Sequence, residues 1–292
     1  LNGEIVSCDS MQVYKYMDIG TAKAGKKERE SVPHHLIDVV TPDEEFNVAK
    51  FQRLARNAIS DIESRGKIPI LVGGTGLYIK AIIDGFLFPW EGKTPKLREA
   101  LKKEAENKVV DVLYGRLKKV DSKAARKIHP NDTRRIIRAL EVYITTGRPI
   151  SELWQEGRKR KTPFDKLLMI GLIRKRQVLY ERINTRCDQM IDSGLIEETK
   201  SLLDKGYGNT LTAGQALGYK EIVHYLEGKS SLKEAIDLIK LGTRRYAKRQ
   251  LIWFRADPRI LWIDIGVFNT KDEATRCILS LVKGKMESIG IT

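Results

Sequence analysis

Apolar positions in the first ninety residues fall either in short continuous runs or at helical spacing. Ile5 to Ser7 and Ile68 to Val72 are short runs, which are typical of buried parallel strands. Between them, apolar residues recur every three or four positions from Val48 to Ile62, with Asn47 as a start signal and Gly66 as a stop signal. A strand, a helix and a second strand in this order predict an α/β crossover unit.

Residues 91–163 show a different pattern, because helical spacing dominates and no convincing strand occurs. The predicted helices are Leu97–Glu106, Val109–Lys118 and Thr133–Thr146. The pattern ends at Gly147, Pro149 and a polar, basic stretch over residues 155–162. We therefore expect an all-helical insertion domain over 91–163, within an α/β core domain formed by residues 1–90 and 164–292.

Strand-like runs return in the last third of the chain, at Leu167 to Ile173 and Ile260 to Ile265. Between them, one helical stripe ends at Gly194. Ser231 and Glu234 then form a capping box before a long helix that runs to about Phe254. These elements extend the same layered plan, so we predict an α/β fold in which a parallel sheet is flanked by helices.

Composition narrows the class of protein. A chain of 292 residues has room for about two domains, and 41% hydrophobic with 31% charged residues is typical of a folded globular protein. No apolar run approaches the roughly 20 residues of a membrane-spanning helix, so we expect no membrane partner. The three cysteines are odd in number and far apart, which excludes a Cys-x-x-Cys zinc site and favours a reducing cytoplasm.

Charge is the most informative bulk property. The chain carries 53 Lys and Arg against 38 Asp and Glu, a net charge of +15. Residues 1–50 carry 6 basic and 9 acidic side chains, so +18 lies after residue 50. A sustained positive field attracts polyanions and speeds their encounter. The charge favours a nucleic-acid partner, with solubility alone as the alternative.

Candidate chemistry begins where the first two predicted strands end. Asp9 follows the first strand, at the sheet edge where open α/β folds bind ligands. Its carboxylate is a general base, a metal ligand or only a helix cap. Gly73-Gly74-Thr75-Gly76 follows the second strand, where glycines and a helix amino end suit an anion and Thr75 adds a hydroxyl. The alternative is a tight strand-to-helix turn, and the sequence contains no Walker A pattern.

Three predicted helices carry arginines that suit phosphates. Arg134 and Arg138 share one face of their helix, although such residues are often only solvated. Arg182 and Arg186 are also four residues apart, and one of them is placed to reach the sheet edge. The last long helix carries Arg244, Lys248 and Arg255 with Tyr246, Trp253 and Phe254 interleaved. Such cations track a nucleic-acid backbone and such rings stack on unpaired bases, or else the rings belong to the core.

Six ordered motifs together resemble the tRNA dimethylallyltransferase family of bacterial type. They are Asp9-Ser10-Met11-Gln12-Val13-Tyr14, Met17 to Lys23, Pro33 to Asp38, Gly73 to Tyr78, His129 to Asp132 and Ala247 to Gln250. The resemblance covers essentially the whole chain. It implies a fold similar to P-loop kinases and transfer of a five-carbon group from dimethylallyl diphosphate to N6 of adenosine 37. The expected tRNAs read codons that begin with U, and the contact is their anticodon stem-loop.

The resemblance also implies roles for individual residues. Asp9 matches the general base, Arg186 matches the arginine that steadies the leaving diphosphate, and Thr75 also lies at the diphosphate. Mg²⁺ is the implied cofactor, with ligands unknown, and a monomer is expected. The residues that match tRNA-contacting positions are Asp9, Ser10, Met11, Gln12, Thr75, Arg98, Arg134, Arg135, Ile136, Ile137, Arg138, Gln215, Tyr219, Lys248, Arg249, Gln250 and Arg255.

One departure and two alternatives accompany this resemblance. The family pattern begins with a strand and a phosphate loop ending Gly-Lys-Ser/Thr, and Leu1 matches a position after that loop. A protein without the loop is expected to show weak or no transfer but residual tRNA binding. The first alternative is an isopentenyltransferase for free adenine nucleotides, which the charge of +15 disfavours. The second is a non-catalytic RNA-binding protein.

Overall fold

The computed structural model describes residues 1–85, 95–107, 111–159, 164, 166–208 and 213–288. The strands are β1 (Gly3–Ser7), β2 (His34–His35), β3 (Ile68–Val72), β4 (Met169–Ile173) and β5 (Ile260–Asp264). The helices are α1 (Lys26–Ser31), α2 (Val48–Ser64), α3 (Gly76–Ile83), α4 (Pro95–Asn107), α5 (Asp111–Val120), α6 (Ser122–Ala125), α7 (Thr133–Thr146), α8 (Ile150–Lys159), α9 (Arg176–Asp192), α10 (Leu195–Asp204), α11 (Tyr219–Leu226), α12 (Leu232–Arg255) and α13 (Lys271–Ser288). A 3₁₀ turn covers Ala213–Gln215.

The described strands pair in parallel throughout. In the order β2-β1-β3, β1 is central, with Ile5 opposite His34 on one side and Ile70 on the other. A second pair, β4 and β5, places Gly171 opposite Trp262. The predicted α/β class, with parallel strands and flanking helices, is confirmed.

Helix α2 shows how local sequence builds the layer beneath β1. The side chain of Asn47 accepts hydrogen bonds from the backbone N–H groups of Ala49 and Lys50, as the predicted cap requires. Its apolar stripe, including Phe51 and Ile62, is buried against β1 and β3. Gly66 ends the helix with a φ of +67°, which glycine adopts without steric cost. This packing fixes the strand that leads into Asp9.

Helix α8 overlaps the polar stretch that was predicted to mark the end of the helical insertion. The polar stretch expected from residue 155 onward begins inside α8, which continues to Lys159. Ile150 and Trp154 of α8 pack against a buried core, and this packing favours a helix although the following residues are polar. Sequence analysis also gave no prediction for α1, α10, α11 or α13.

Contacts divide the chain into two compact units with separate cores. Unit 1 comprises Leu1–Ile82 and Phe164–Thr292, and unit 2 comprises Ile83–Pro163. The fully buried side chains of unit 1 include Val6, Tyr14, Phe51 and Ile62, and those of unit 2 include Leu113, Leu117, Ile136 and Leu140. The expected boundary at 90/91 lies outside the described residues. That unit 2 is an inserted domain stays a prediction.

Two further sequence expectations concern membranes and thiols. No described helix combines the length and apolar character that a bilayer-crossing segment requires. Cys8, Cys187 and Cys277 are all free thiols.

A buried carboxylate on β1 ties the sheet to the end of α2. Glu4 is 2% exposed and accepts hydrogen bonds from Arg65 at 2.5 and 2.8 Å and from Lys67 at 2.7 Å. Oε2 of Glu4 also lies 2.8 Å from His35 Nε2. The hydrogen bonds from Arg65, then those from Lys67 and His35, hold the pKa of Glu4 far below its ordinary value of 4.5. The ionised carboxylate therefore stabilises the folded state.

This lowered pKa predicts acid sensitivity. The contribution of Glu4 is fully present above its unfolded pKa of 4.5 and is lost as the pH falls through and below that value. We expect Glu4→Gln to lower the urea midpoint at neutral pH and to flatten its dependence between about pH 5 and pH 3. Glu63→Gln, an exposed change on the neighbouring helix α2, is the control. A Glu4→Gln variant with the wild-type midpoint at neutral pH would contradict the assignment.

Candidate active site

Asp9 caps its own turn with one carboxylate oxygen. Its Oδ1 accepts hydrogen bonds from the backbone N–H groups of Met11 at 2.7 Å and Gln12 at 3.3 Å. The side chain is partly exposed, and Oδ2 takes part in none of the hydrogen bonds of the described residues. No helix begins directly after Asp9, since α1 starts at Lys26, so a capped turn replaces the helix cap considered from the sequence. It fixes the carboxylate and leaves its second oxygen for chemistry.

Thr75 joins the glycine turn to the segment that carries Asp9. Its Oγ1 accepts a hydrogen bond from Ser10 N–H at 3.0 Å and lies 3.3 Å from Ser10 Oγ. The backbone N–H of Thr75 also donates to the carbonyl of Cys8 at 3.2 Å. The ends of β1 and β3 thus bring Asp9, Ser10 and Thr75 to one edge of the sheet, as the sequence predicted.

Close packing explains the glycines of this turn. A Cβ on Gly73 would lie 2.5 Å from the backbone C and O of Cys8. A Cβ on Gly74 would meet the side-chain amide of Gln250 at 2.0 Å, and one on Gly76 would meet the indole of Trp253 at 2.3 Å. The tight-turn alternative therefore accounts for all three glycines. Their presence is no independent evidence that this turn binds a phosphate.

Helix α12 covers the glycine turn with polar and aromatic side chains. Gln250 Nε2 donates to the carbonyl of Gly74 at 3.0 Å. Burial, followed by the charge of Asp9, raises the pKa of Tyr246, and the nearby side chains of Thr75 and Gln250 partly oppose that shift. Tyr246 thus lies beside Asp9, a placement that sequence analysis did not find. The only sequence signal was its place among the basic residues of α12.

The cations of α12 have different surroundings, because Arg244 is only partly exposed and donates to Asn184 Oδ1 of α9 at 2.6 Å. Lys248, Arg249 and Arg255 are all exposed, and the Arg249 guanidinium lies 5.6 Å from the centroid of the Tyr246 ring. Trp253 is 44% exposed although its indole contacts Gly76. The aromatic residues of α12 are therefore only partly packed, and contact of this helix with nucleic acid stays a prediction.

Arg186 lies on α9, a helix packed against α12. The neighbouring Cys187 is buried, and its Sγ lies 3.9 Å from Thr243 Oγ1 of α12. Arg186 itself is exposed, and among the described residues it takes part in no hydrogen bond or ion pair. No hydrogen bond or ion pair joins it to Asp9 in the described part of the chain. Its proposed role thus depends on an anion that it would meet from solvent.

The loop after the Asp9 turn is held by polar side chains from neighbouring stretches of the chain. Ser7 Oγ donates to Gln12 Oε1 at 3.0 Å, and Gln12 Nε2 donates to the carbonyl of Thr21 at 3.2 Å. The side chain of Lys23 is 1% exposed and donates to Asp18 at 2.6 Å and Asp38 at 2.7 Å. Neither Lys23 nor Asp38 was predicted from the sequence to have a role of its own.

Glu198 of α10 clamps the same loop. Its carboxylate accepts hydrogen bonds from the backbone N–H groups of Asp18, Ile19 and Gly20, at 2.9 to 3.3 Å. It also accepts one from the hydroxyl of Tyr219 at 2.5 Å. Tyr219 is 3% exposed and its side chain is committed to this loop, and the RNA contact expected of its stretch stays a prediction. Gln215, in the same predicted stretch, is exposed.

In unit 2, the predicted arginines have different surroundings. Arg98 and Arg138 both donate to Glu141, at 2.8 and 2.9 Å. Arg135 pairs with Asp132 at 3.4 Å, and Arg134 is exposed. Ile136 and Ile137 are 0% and 6% exposed. These two side chains belong to the core of unit 2, and the RNA contact expected of this stretch stays a prediction.

The site contains neither a reactive thiol nor a preformed metal cluster among the described residues. Burial, followed by the charge of Asp9, raises the pKa of Cys8 to about 12, so its thiol stays protonated at neutral pH. No group of three or more His, Cys, Asp or Glu side chains in the described ranges is placed to hold a metal ion. The chemistry available is that of one carboxylate, hydroxyls and nearby cations.

Known proteins share this architecture. Residues 12–257 match the family model described as IPP transferase. A tRNA dimethylallyltransferase of Carboxydothermus hydrogenoformans is 58% identical over 91% of this chain and 85% of its own length. A tRNA dimethylallyltransferase of Caldanaerobacter subterraneus is 53% identical over 98% of this chain and 91% of its own length.

Two solved structures extend the likeness to three dimensions. The full-length tRNA isopentenylpyrophosphate transferase of Bacillus halodurans is 46% identical, with a TM-score of 0.72 over 99% of this chain and 90% of its own. A eukaryotic dimethylallyltransferase, described as acting on tRNA, is 34% identical. Its TM-score is 0.84, over 98% of this chain and 74% of its own. This chain, in which Asp9 follows β1 and Thr75 follows β3, therefore belongs to the IPP transferase family, a family of transferases.

Proposed function

We propose that this protein transfers the dimethylallyl group of dimethylallyl diphosphate to N6 of adenosine 37 in tRNAs that read codons beginning with U. Membership of the IPP transferase family supports the reaction class. The observation that carries the proposal is the Asp9 carboxylate, anchored by one oxygen beside Thr75 and beneath the basic helix α12. A carboxylate placed in this way suits a base that acts on a nucleic-acid substrate.

Asp9 acts as the general base in this proposal. The exocyclic amine of adenine is a poor nucleophile, because its lone pair is delocalised into the ring. The adenine must leave its stack before a protein side chain reaches that amine. Asp9 Oδ2 takes a proton from the amine as its nitrogen attacks the allylic carbon, and the bond from that carbon to the diphosphate oxygen breaks. Anchoring of Oδ1 keeps the base oriented during the transfer.

Positive charge and hydrogen-bond donors stabilise the leaving diphosphate. Arg186 is an exposed guanidinium that suits this role, and Thr75 adds a hydroxyl. The hydroxyl oxygens of Ser10 and Thr75 are hard donors and fit a Mg²⁺ ion held largely by diphosphate and water. When bound, Mg²⁺ would disperse the charge that develops on the diphosphate.

The tRNA would meet cations in each unit. In unit 1 these are Lys248, Arg249 and Arg255 of α12, with Gln250 and the Asp9–Gln12 turn beneath them. In unit 2 they are Arg98, Arg134, Arg135 and Arg138. Such side chains bind phosphate without reading sequence, while Tyr246 and Trp253 offer rings for stacking. We propose that the protein works on tRNA in the cytoplasm as a monomer.

A competition assay tests the substrate class. The full-length protein receives dimethylallyl diphosphate with AMP and an anticodon stem-loop in equal concentration. We expect isoprenoid incorporation almost entirely into the stem-loop. Incorporation into AMP would favour the enzyme of free nucleotides, and tight stem-loop binding without any product would favour the non-catalytic RNA-binding protein.

Salt dependence tests the electrostatic part of the proposal. If roughly four phosphates are neutralised, raising the salt from about 50 to 200 mM should weaken stem-loop binding about 50-fold by the single-strand slope and about 150-fold by the duplex slope. Fluorescence anisotropy of a labelled stem-loop measures the effect. An affinity independent of salt would contradict a phosphate-binding surface on α12 and unit 2.

A further inference from the structure

A buried carboxylate in unit 2 holds two arginines at one point. Glu141 of α7 is 2% exposed. Arg98 Nη2 of α4 and Arg138 Nη1 of α7 donate to the same oxygen, Glu141 Oε2, at 2.8 and 2.9 Å. These two nitrogen atoms are therefore no farther apart than the sum of the two distances, 5.7 Å. Two guanidinium groups this close repel each other unless an anion lies between them.

The carboxylate is ionised and the arginines keep donors for another partner. Burial alone would raise the pKa of Glu141, but the hydrogen bonds from Arg98 and Arg138 outweigh it and lower the pKa. The side chains of Arg98 and Arg138 remain 47% and 36% exposed. A guanidinium has five N–H donors, so one bond to Glu141 leaves several for solvent or ligand.

We propose that Glu141 is a positioning residue, which holds Arg98 and Arg138 side by side as a two-arginine clamp for the phosphates of bound RNA. This inference rests on the proposed function, because it assigns the ligand of unit 2. Planar guanidinium groups bind phosphate oxygens through two parallel hydrogen bonds when their orientation is fixed. Glu141 fixes that orientation before the RNA arrives, so less side-chain entropy is lost on binding.

The direction of the effect of Glu141→Gln separates positioning from charge. The substitution keeps the shape of the side chain and removes one negative charge. Electrostatic attraction alone would then tighten RNA binding. Loss of the clamp predicts the opposite, a stem-loop affinity weakened about tenfold. In turnover assays the loss should appear in KM for the stem-loop rather than in kcat, and KM for dimethylallyl diphosphate should not change.

Unit 2 offers a matched control. Glu104 of α4 accepts a hydrogen bond from Arg116 at 2.8 Å, and its side chain is 27% exposed. Glu104→Gln removes the same charge from the same unit and also frees an arginine. We expect it to leave stem-loop affinity unchanged or slightly tighter.

Single arginine variants separate failure of this inference from failure of the proposed function. Arg98→Gln and Arg138→Gln should each weaken stem-loop binding, and Glu141→Gln should add little to a variant that lacks both arginines. If both arginine variants bind like the wild type, the proposed placement of RNA on unit 2 is wrong. If they weaken binding while Glu141→Gln behaves like Glu104→Gln, the positioning role is wrong and the proposed function stands.

Thermal unfolding must confirm that Glu141→Gln is folded at the assay temperature, because its carboxylate is buried. If the variant is not folded, Glu141→Asp replaces it. Aspartate keeps the charge but withdraws the carboxylate by one methylene. A positioning role predicts weaker stem-loop binding for this variant, and binding equal to the wild type would overturn the inference.

Discussion

Asp9→Asn is expected to lower the turnover of prenyl transfer by about 10² to 10⁴-fold, the usual contribution of a general base. Asparagine keeps a carbonyl oxygen in place of Oδ1, so the hydrogen bonds from Met11 and Gln12 can persist. It cannot accept a proton in the manner of a carboxylate. Stem-loop affinity should therefore stay within a few-fold of the wild type, which anisotropy and single-turnover kinetics measure together.

Two companion variants make this result specific. Asp43→Asn removes the same charge from an exposed position and should leave turnover unchanged. Asp9→Ala removes the base and the cap together, so it should also lower the stability of the fold by about 1 kcal/mol. If the Asp9→Asn protein kept wild-type turnover, Asp9 would only cap its turn. The proposed active site would then lack a general base.

Gly73→Ala is expected to cause the largest loss of stability among simple substitutions at the site. Its Cβ would lie 2.5 Å from the backbone C and O of Cys8, and 2.9 Å from Cys8 Cα. Backbone atoms cannot rotate away as side chains can, so the ends of β1 and β3 would have to separate. We expect a cost at or above the upper end of the usual 1 to 3 kcal/mol for overpacking, about 3 kcal/mol. Turnover should fall with it, because Asp9 follows Cys8.

Another glycine of unit 1 provides the control. Gly284 lies inside α13, and a Cβ there would meet nothing within 4 Å. Gly284→Ala should therefore stabilise the protein by up to about 1 kcal/mol through helix propensity. Urea unfolding of the two variants measures the contrast. If Gly73→Ala unfolds at the midpoint of Gly284→Ala, the close contact of the two strand ends does not exist in solution.

The sequence by itself determined the elements that depend on neighbouring residues. The strand Ile68–Val72 and the helix Thr133–Thr146 lie where the pattern predicted, and the caps at Asn47 and Ser231 form as expected. These signals are local, because a helix or strand repeats its buried face every few residues. Asp9 and Thr75 were also found together, since the carboxyl ends of adjacent parallel strands lie at one edge of a sheet.

Only the tertiary structure decided which distant side chains complete the site. Gln250 reaches Gly74 across 176 residues, and Glu198 reaches Ile19 across 179. Burial of Tyr219 and of Ile136 likewise follows from packing between elements. A contact between segments far apart leaves no period in the sequence, because its geometry exists only once the helices and strands have packed together. The chain thus encodes its elements locally, while their packing determines how Asp9 is supported and which arginines share one carboxylate.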